Sequence, residues 1–215
     1  MSDLATTAHT ARALVDAMLE RYSALQSYED HGVVRVEVSA HELPLDLEFE
    51  TNYRAPDHFR FAFRLPHPYP ALREQRTSYV IAGTGTEAWS LTRFPNAVPE
   101  LRRHRALTQA VAGVAGVSCG AAQTIARLLM PARFGADFGR LGDLAVLGEA
   151  TVDGVECLRV AATHPYAGRE ELCIGRHDAL LRKLGKRSAN MPVTEMRTGI
   201  ALDRPQADQL FAQPE

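Results

Sequence analysis

The chain is expected to fold as an α+β domain, one amphipathic N-terminal helix followed by an antiparallel sheet with one buried and one wet face. Three stretches carry that expectation. From Val34 the even positions Val34, Val36 and Val38 are apolar, while Arg35, Glu37 and Ser39 are not. From Leu45 the odd positions Leu45, Leu47, Phe49 and Tyr53 are apolar or aromatic, against Asp46, Glu48, Glu50, Asn52 and Arg54. From Phe59 the set Phe59, Phe61, Phe63 and Leu65 is opposed by His58, Arg60 and Arg64. A period of two puts each apolar set on one face of a strand. A polar second face belongs to an antiparallel sheet, because parallel sheets are covered on both sides.

Ahead of these strands, residues 7–26 are predicted as a helix, with Leu14, Met18, Tyr22 and Leu25 at spacings of three and four and Thr6 or Thr7 as N-cap. Ser27-Tyr28-Glu29-Asp30 leads into the first strand, where Gly32 relieves a bend. The turns His41-Glu42-Leu43-Pro44 and Ala55-Pro56-Asp57 join the first three strands, since proline cannot donate to a ladder. Pro66, Pro68 and Pro70 then interrupt the chain. A fourth strand over residues 77–82 turns at Gly83-Thr84-Gly85 into a fifth around Ala88, Trp89 and Leu91.

Between Pro99 and Pro131 arginine, alanine, leucine and glycine replace the β pattern, and two helices are predicted over residues 101–114 and 118–130. Strands return at 144–150 and 155–162, joined by the hairpin signal Asp153-Gly154. Three more follow at 169–175, 180–186 and 193–200, and residues 204–211 form a short helix or an extended tail. No repeat or linker divides the 215 residues, so a single domain over 1–215 is expected.

Composition narrows the function classes. Hydrophobic residues make up 46% of the chain and charged ones 23%, enough for a sizeable core. A formal charge of −2, from 24 basic and 26 acidic residues, gives no field for nucleic acid or an anionic membrane. The stretch 106–122 is too short and too interrupted for stable membrane insertion. The N-terminus has no basic region followed by an apolar one, so the chain as it stands is expected in the cytoplasm, or in the periplasm if a signal has been removed.

No catalytic signature, metal-ligand spacing or cofactor motif appears. His58, His67, His104, His164 and His177 match no ligand spacing and are expected at the surface. Gly83-Thr84-Gly85 is a turn, not a phosphate loop. The basic clusters Arg102, Arg103, Arg105 and Arg182, Lys183, Lys186, Arg187 are expected to be solvated, with a docking patch for lipid headgroups or a partner protein as the functional alternative. Cys157 and Cys173 fall near opposite positions of a hairpin, compatible with a cross-strand disulfide or with two free thiols; the leftover Cys119 favours the thiols.

Three segments carry a family resemblance. Tyr22-Ser23-Ala24-Leu25-Gln26-Ser27-Tyr28 feeds a helix into a first strand. Phe49-Glu50-Thr51-Asn52-Tyr53-Arg54-Ala55-Pro56-Asp57-His58-Phe59-Arg60-Phe61 places an Arg-x-Pro turn before a Phe-Arg-Phe run, and Gly83 to Trp89 sets a glycine turn before a tryptophan. With the order helix, strands, helical insertion, strands, the chain resembles the LolA/LolB-like lipoprotein-carrier superfamily.

That resemblance implies a curved antiparallel sheet, an incomplete barrel around a helical lid. It also implies non-catalytic binding or carriage of an apolar or amphipathic ligand, a lipid or a lipoprotein acyl chain, with no cofactor and no metal. Each methylene buried in such a half-barrel gains about 0.8 kcal/mol. Val34, Val36, Leu47, Phe49, Phe61 and Phe63 would line its sheet side; Leu128, Leu129 and Met130 would line the lid; Trp89 would stand at the rim or in the wall. Taken singly, each of these residues suits a packed core better than a cavity wall, and a packed barrel without ligand would make the chain a structural or protein-interaction module working through its outer surface.

Overall fold

The alternating stretches become neighbours in one sheet of eleven antiparallel strands. A computed structural model describes residues 2–37, 44–67, 69–72, 74–188 and 191–214. Val38, Ser39, the turn residues His41, Glu42 and Leu43, and Pro68 lie outside the described residues. Helix α1 (Ser2–Ser23) precedes β1 (Ser27–Val36), β2 (Leu45–Arg54), β3 (His58–Pro66), β4 (Arg76–Gly83), β5 (Ala88–Arg93) and β6 (Glu100–His104). Then come α2 (Leu107–Val114), α3 (Ala121–Leu129) and α4 (Pro131–Phe134). The chain ends with β7 (Gly142–Val152), β8 (Val155–His164), β9 (Gly168–Gly175), β10 (Leu181–Ser188) and β11 (Met191–Leu202).

The strand order β6-β5-β4-β3-β2-β1-β11-β10-β9-β8-β7 is two meanders joined where β1 pairs with β11. The sheet is curved and does not close into a barrel. Its edges are β6 and β7, and the chain passes from one edge to the other through α2–α4. The helical insertion therefore connects the two open edges.

Two elements differ from the sequence-based expectation. Residues 101–104 form an edge strand rather than the start of a helix, because β5 offers them a complete ladder, from Thr92 opposite Glu100 to Ala88 opposite His104. Exposed Arg102 and Arg103 suit such an edge, since charge deters further pairing. Helix α1 begins earlier, which leaves Thr6 and Thr7 inside it rather than at its cap. Its buried face is Ala11, Val15, Met18 and Tyr22, with Leu14 only partly covered. Gly32 also serves close packing. A Cβ there would lie 2.0 Å from Met196 O and 2.4 Å from Phe49 Cζ.

Other local expectations hold. Asp153 and Gly154 take φ of 49° and 75°, the left-handed pair a two-residue hairpin needs. The last segment is an extended tail with a single 3-10 turn at Asp208–Leu210. Cys157 and Cys173 are free thiols, packed with Val152. They are offset diagonally, Cys157 facing Gly175 and Cys173 facing Arg159.

One apolar cluster fills the inner face of the sheet. It joins the buried face of α1 to Leu107, Val111 and Val114 of α2 and to Ile125, Leu128 and Leu129 of α3. Against them stand Phe49 and Phe61, stacked at 5.4 Å, and Phe63, stacked on Tyr79 at 4.7 Å. Arg12 of α1 donates to the carbonyls of Gly139 and Leu141, tying the helix to the loop before β7.

Candidate functional site

Charged residues break the apolar parity of four adjacent strands, and the fold lines them up. On β1 the inward positions run Tyr28, Asp30, Gly32, Val34; on β11 they run Val193, Glu195, Arg197. On β10 Lys186 follows Leu184, and on β9 Glu170 precedes Leu172. Because β9, β10, β11 and β1 are neighbours, the five groups form a row that alternates in sign: Glu170, Lys186, Glu195, Arg197, Asp30.

Arg197 is 1% exposed. Its guanidinium donates to Asp30 Oδ2 at 2.6 Å, to Glu195 Oε1, and to Ala121 O at the start of α3 at 3.4 Å. It also lies 4.9 Å from the centroid of the Phe49 ring. Tyr28 donates its hydroxyl to the same Asp30 oxygen at 2.6 Å. Lys186 Nζ stands 3.7 Å from Glu195 Oε2 and donates to Thr124 Oγ1 at 3.4 Å.

Burial works against the charge of Arg197, but Glu195 and Asp30 outweigh it and hold the guanidinium pKa well above its ordinary value. Burial pushes Tyr22 up to about 12, and raises Tyr28 with help from Asp30. Glu170 is pushed up to about 7, mainly by burial, with Glu195 adding to the effect and Lys186 and Arg127 opposing it.

The row ends at a cavity of about 240 Å3 between the α2–α3 turn and the strands β8–β10. Its wall includes Cys119, Thr124, Arg127, His164, Glu170 and Lys186. Arg127 pairs with Asp137 at 3.3 Å. A larger hollow of about 500 Å3 lies against the opposite face of the sheet, where Arg60 pairs with Glu50 at 3.6 Å and Arg64 with Glu48 at 3.9 Å.

Nine of the ten residues predicted to line a ligand cavity come together. Val34, Val36, Leu47, Phe49, Phe61, Phe63, Leu128, Leu129 and Met130 are all buried members of the inner cluster. Trp89 stands apart, with Ala82 and Leu91 on the outward parity. Its indole N–H donates to Phe211 O at 3.1 Å, so the tail lies over it. Phe211 is itself buried, edge-on to His58 at 5.3 Å.

Two surface expectations are corrected. Lys186 is 10% exposed and faces inward, while Arg182 is 12% exposed and bonded to Asp178, so that basic cluster is not a solvated patch. His164 is buried in the cavity wall rather than at the surface. His104 contacts Ser90 Oγ at 2.8 Å, with no carboxylate paired to it among the described residues. No group of three His, Cys, Asp or Glu able to hold a metal occurs among the described residues.

Sequence reasoning passed over Asp30, Glu170, Glu195 and Arg197. Only Asp30 and Glu170 carried a signal, parity: Asp30 shares its face with Tyr28 and Val34, and Glu170 shares its face with Leu172.

No family model matches the chain, and no curated protein sequence matches it. Solved structures do. LprF from Mycobacterium bovis is 12% identical over 95% of this chain and 97% of its own, with a TM-score of 0.56. Lipoprotein LppX from Mycobacterium tuberculosis is 12% identical over 92% of this chain and 97% of its own, at 0.51. MucB is 13% identical over 96% of this chain, which spans 63% of MucB, at 0.52. Identities this low speak for architecture alone, and the architecture is the one shared with LprF, LppX and MucB.

Proposed function

We propose that the protein binds an apolar or amphipathic ligand non-catalytically, placing an acyl chain between the inner face of the sheet and the α2–α3 cover. The observation that carries the reading is how this face is closed. An apolar surface rich in phenylalanine is covered by α1 and two short helices instead of by further strands. Neither helix has a side-chain cap at its N-terminus, and Gly113 and Gly116 have open space where a Cβ would stand. Helices of eight and nine residues gain little stability of their own, so packing alone holds them. An acyl chain that replaces this packing returns the burial it displaces. The LolA/LppX-like fold supports the same reading at the level of architecture, and architecture alone does not fix function.

A dansylated long-chain fatty acid tests it. Saturable, blue-shifted emission at one probe per protein is expected; emission that stays at the free-probe value overturns the proposal.

A second reading has its own observation. The nine clustered residues are at most 7% exposed, as in a filled interior. A packed interaction module would leave the probe dark and work through the outer face.

A further inference from the structure

The cavity at the end of the charge row contains a buried carboxyl with nothing to bond. Glu170 is 7% exposed, and its Oε2 is fully enclosed without a hydrogen-bond partner. Leaving a buried acceptor unsatisfied is costly, so enclosure favours the protonated carboxyl. Three donor side chains stand around it. Lys186 comes from β10, Arg127 from α3 and His164 from β8. Nδ1 of His164 accepts the backbone N–H groups of Tyr166 at 3.1 Å and Ala167 at 3.2 Å, so its ring proton sits on Nε2. A protonated Glu170 adds one more donor beside them.

We infer that this cavity is a binding site for one carboxylate group, held by Lys186 and His164 and hydrogen-bonded by the protonated carboxyl of Glu170. Two carboxyl groups sharing one proton form a stable pair, as two like charges at that distance do not. At about 240 Å3 the cavity takes a small polar group, below the usual range for larger ligands. The carboxylate belongs either to a free small acid or to the head of an acyl chain. The inference does not require a chain inside the half-barrel.

The site is coupled to pH through Glu170. Facing it are His164 from β8, Lys186 and Arg187 from β10, Glu195 from β11, Arg127 from α3 with its partner Asp137, and Cys119 from the α2–α3 turn. Burial lowers the His164 pKa and raises that of Cys119, so both shifts favour the uncharged forms. Glu170, with a pKa of about 7, changes charge between pH 6 and 8. Affinity for a carboxylate should therefore fall about tenfold from pH 6 to pH 8, in step with the protonated fraction.

Titration of the full chain with acetate and with octanoate at both pH values, by calorimetry in two buffers of different ionisation enthalpy, tests this. Expected are binding at pH 6, about tenfold weaker binding at pH 8, and uptake of close to one proton on binding at pH 8. E170Q, whose amide still donates, should bind at both pH values and lose the dependence. Equal affinity for acetate and octanoate would identify a free acid, and much tighter octanoate an acyl headgroup; both uphold the site. No binding of either at pH 6, binding that strengthens toward pH 8, or loss of binding in a folded E170Q would overturn it. Proton uptake is read on the unmodified protein, so the result stands even if the variant does not fold. The dansyl probe reports burial of a chain and no proton, so this inference and the acyl-chain proposal can fail separately.

Discussion

Arg197 holds two buried carboxylates, a carbonyl at the start of α3 and the face of Phe49 at once. Replacing it with methionine keeps the volume but leaves Asp30 and Glu195 enclosed without their cation, a loss of about 3–5 kcal/mol by the usual cost of breaking a buried pair. Urea unfolding of Arg197→Met should show it. Glu170 gives an effect of opposite sign. Its folded pKa of about 7 lies above its ordinary value of 4.5, so the folded state binds the extra proton. That contribution to stability is full below about pH 4.5, is lost as pH rises to about 7, and stays lost above. Glu170→Gln should match the parent protein at low pH and exceed it by about 3 kcal/mol at pH 8; equal stability at pH 8 would count against an enclosed carboxyl. At this scale the sequence was half legible. The phenylalanines and valines declare themselves by parity, whereas Glu195 and Arg197 look like ordinary surface charges until β1 and β10 are known to flank them.

Among the elements, α2 and α3 are short helices of the inner layer, and the proposed function depends on their release. Their amide hydrogens are expected to exchange faster than those of β1 and β11, which pair with neighbours on both sides. Gly113 lies within α2, is exposed, and has nothing within 4 Å of where a Cβ would be. Gly113→Ala should therefore stabilise α2 by about 0.5–1 kcal/mol and slow its exchange. Unchanged exchange in the variant would show that opening is limited elsewhere. Strand positions were legible because alternation is strong in β1, β2 and β3. The 101–104 segment was not, since Leu-Arg-Arg-His carries no alternation of its own and becomes a strand through the partner that β5 provides.

Across the whole molecule, an open sheet has two edges and two faces to protect. The chain spans the gap between its edges with the insertion, and lays its C-terminal tail across the outer face. There Gln206 donates to Tyr28 O at 3.0 Å and Arg103 to Gln213 at 2.9 Å. Helix, strands, insertion and strands could be ordered from sequence, and the order was enough to anticipate the fold. The position of Trp89 was not legible: it follows from the tail, whose contacts with Arg54, Trp89 and Arg103 are all long-range. The central claim is that the inner layer opens to hold an apolar chain. Native mass spectrometry of the purified protein, with organic extraction of whatever accompanies it, tests that claim most directly. One amphiphile per protein, retained through purification or taken up on incubation, is the expected result. A bare protein mass that stays unchanged with fatty acids, phospholipids and a lipopeptide would contradict it.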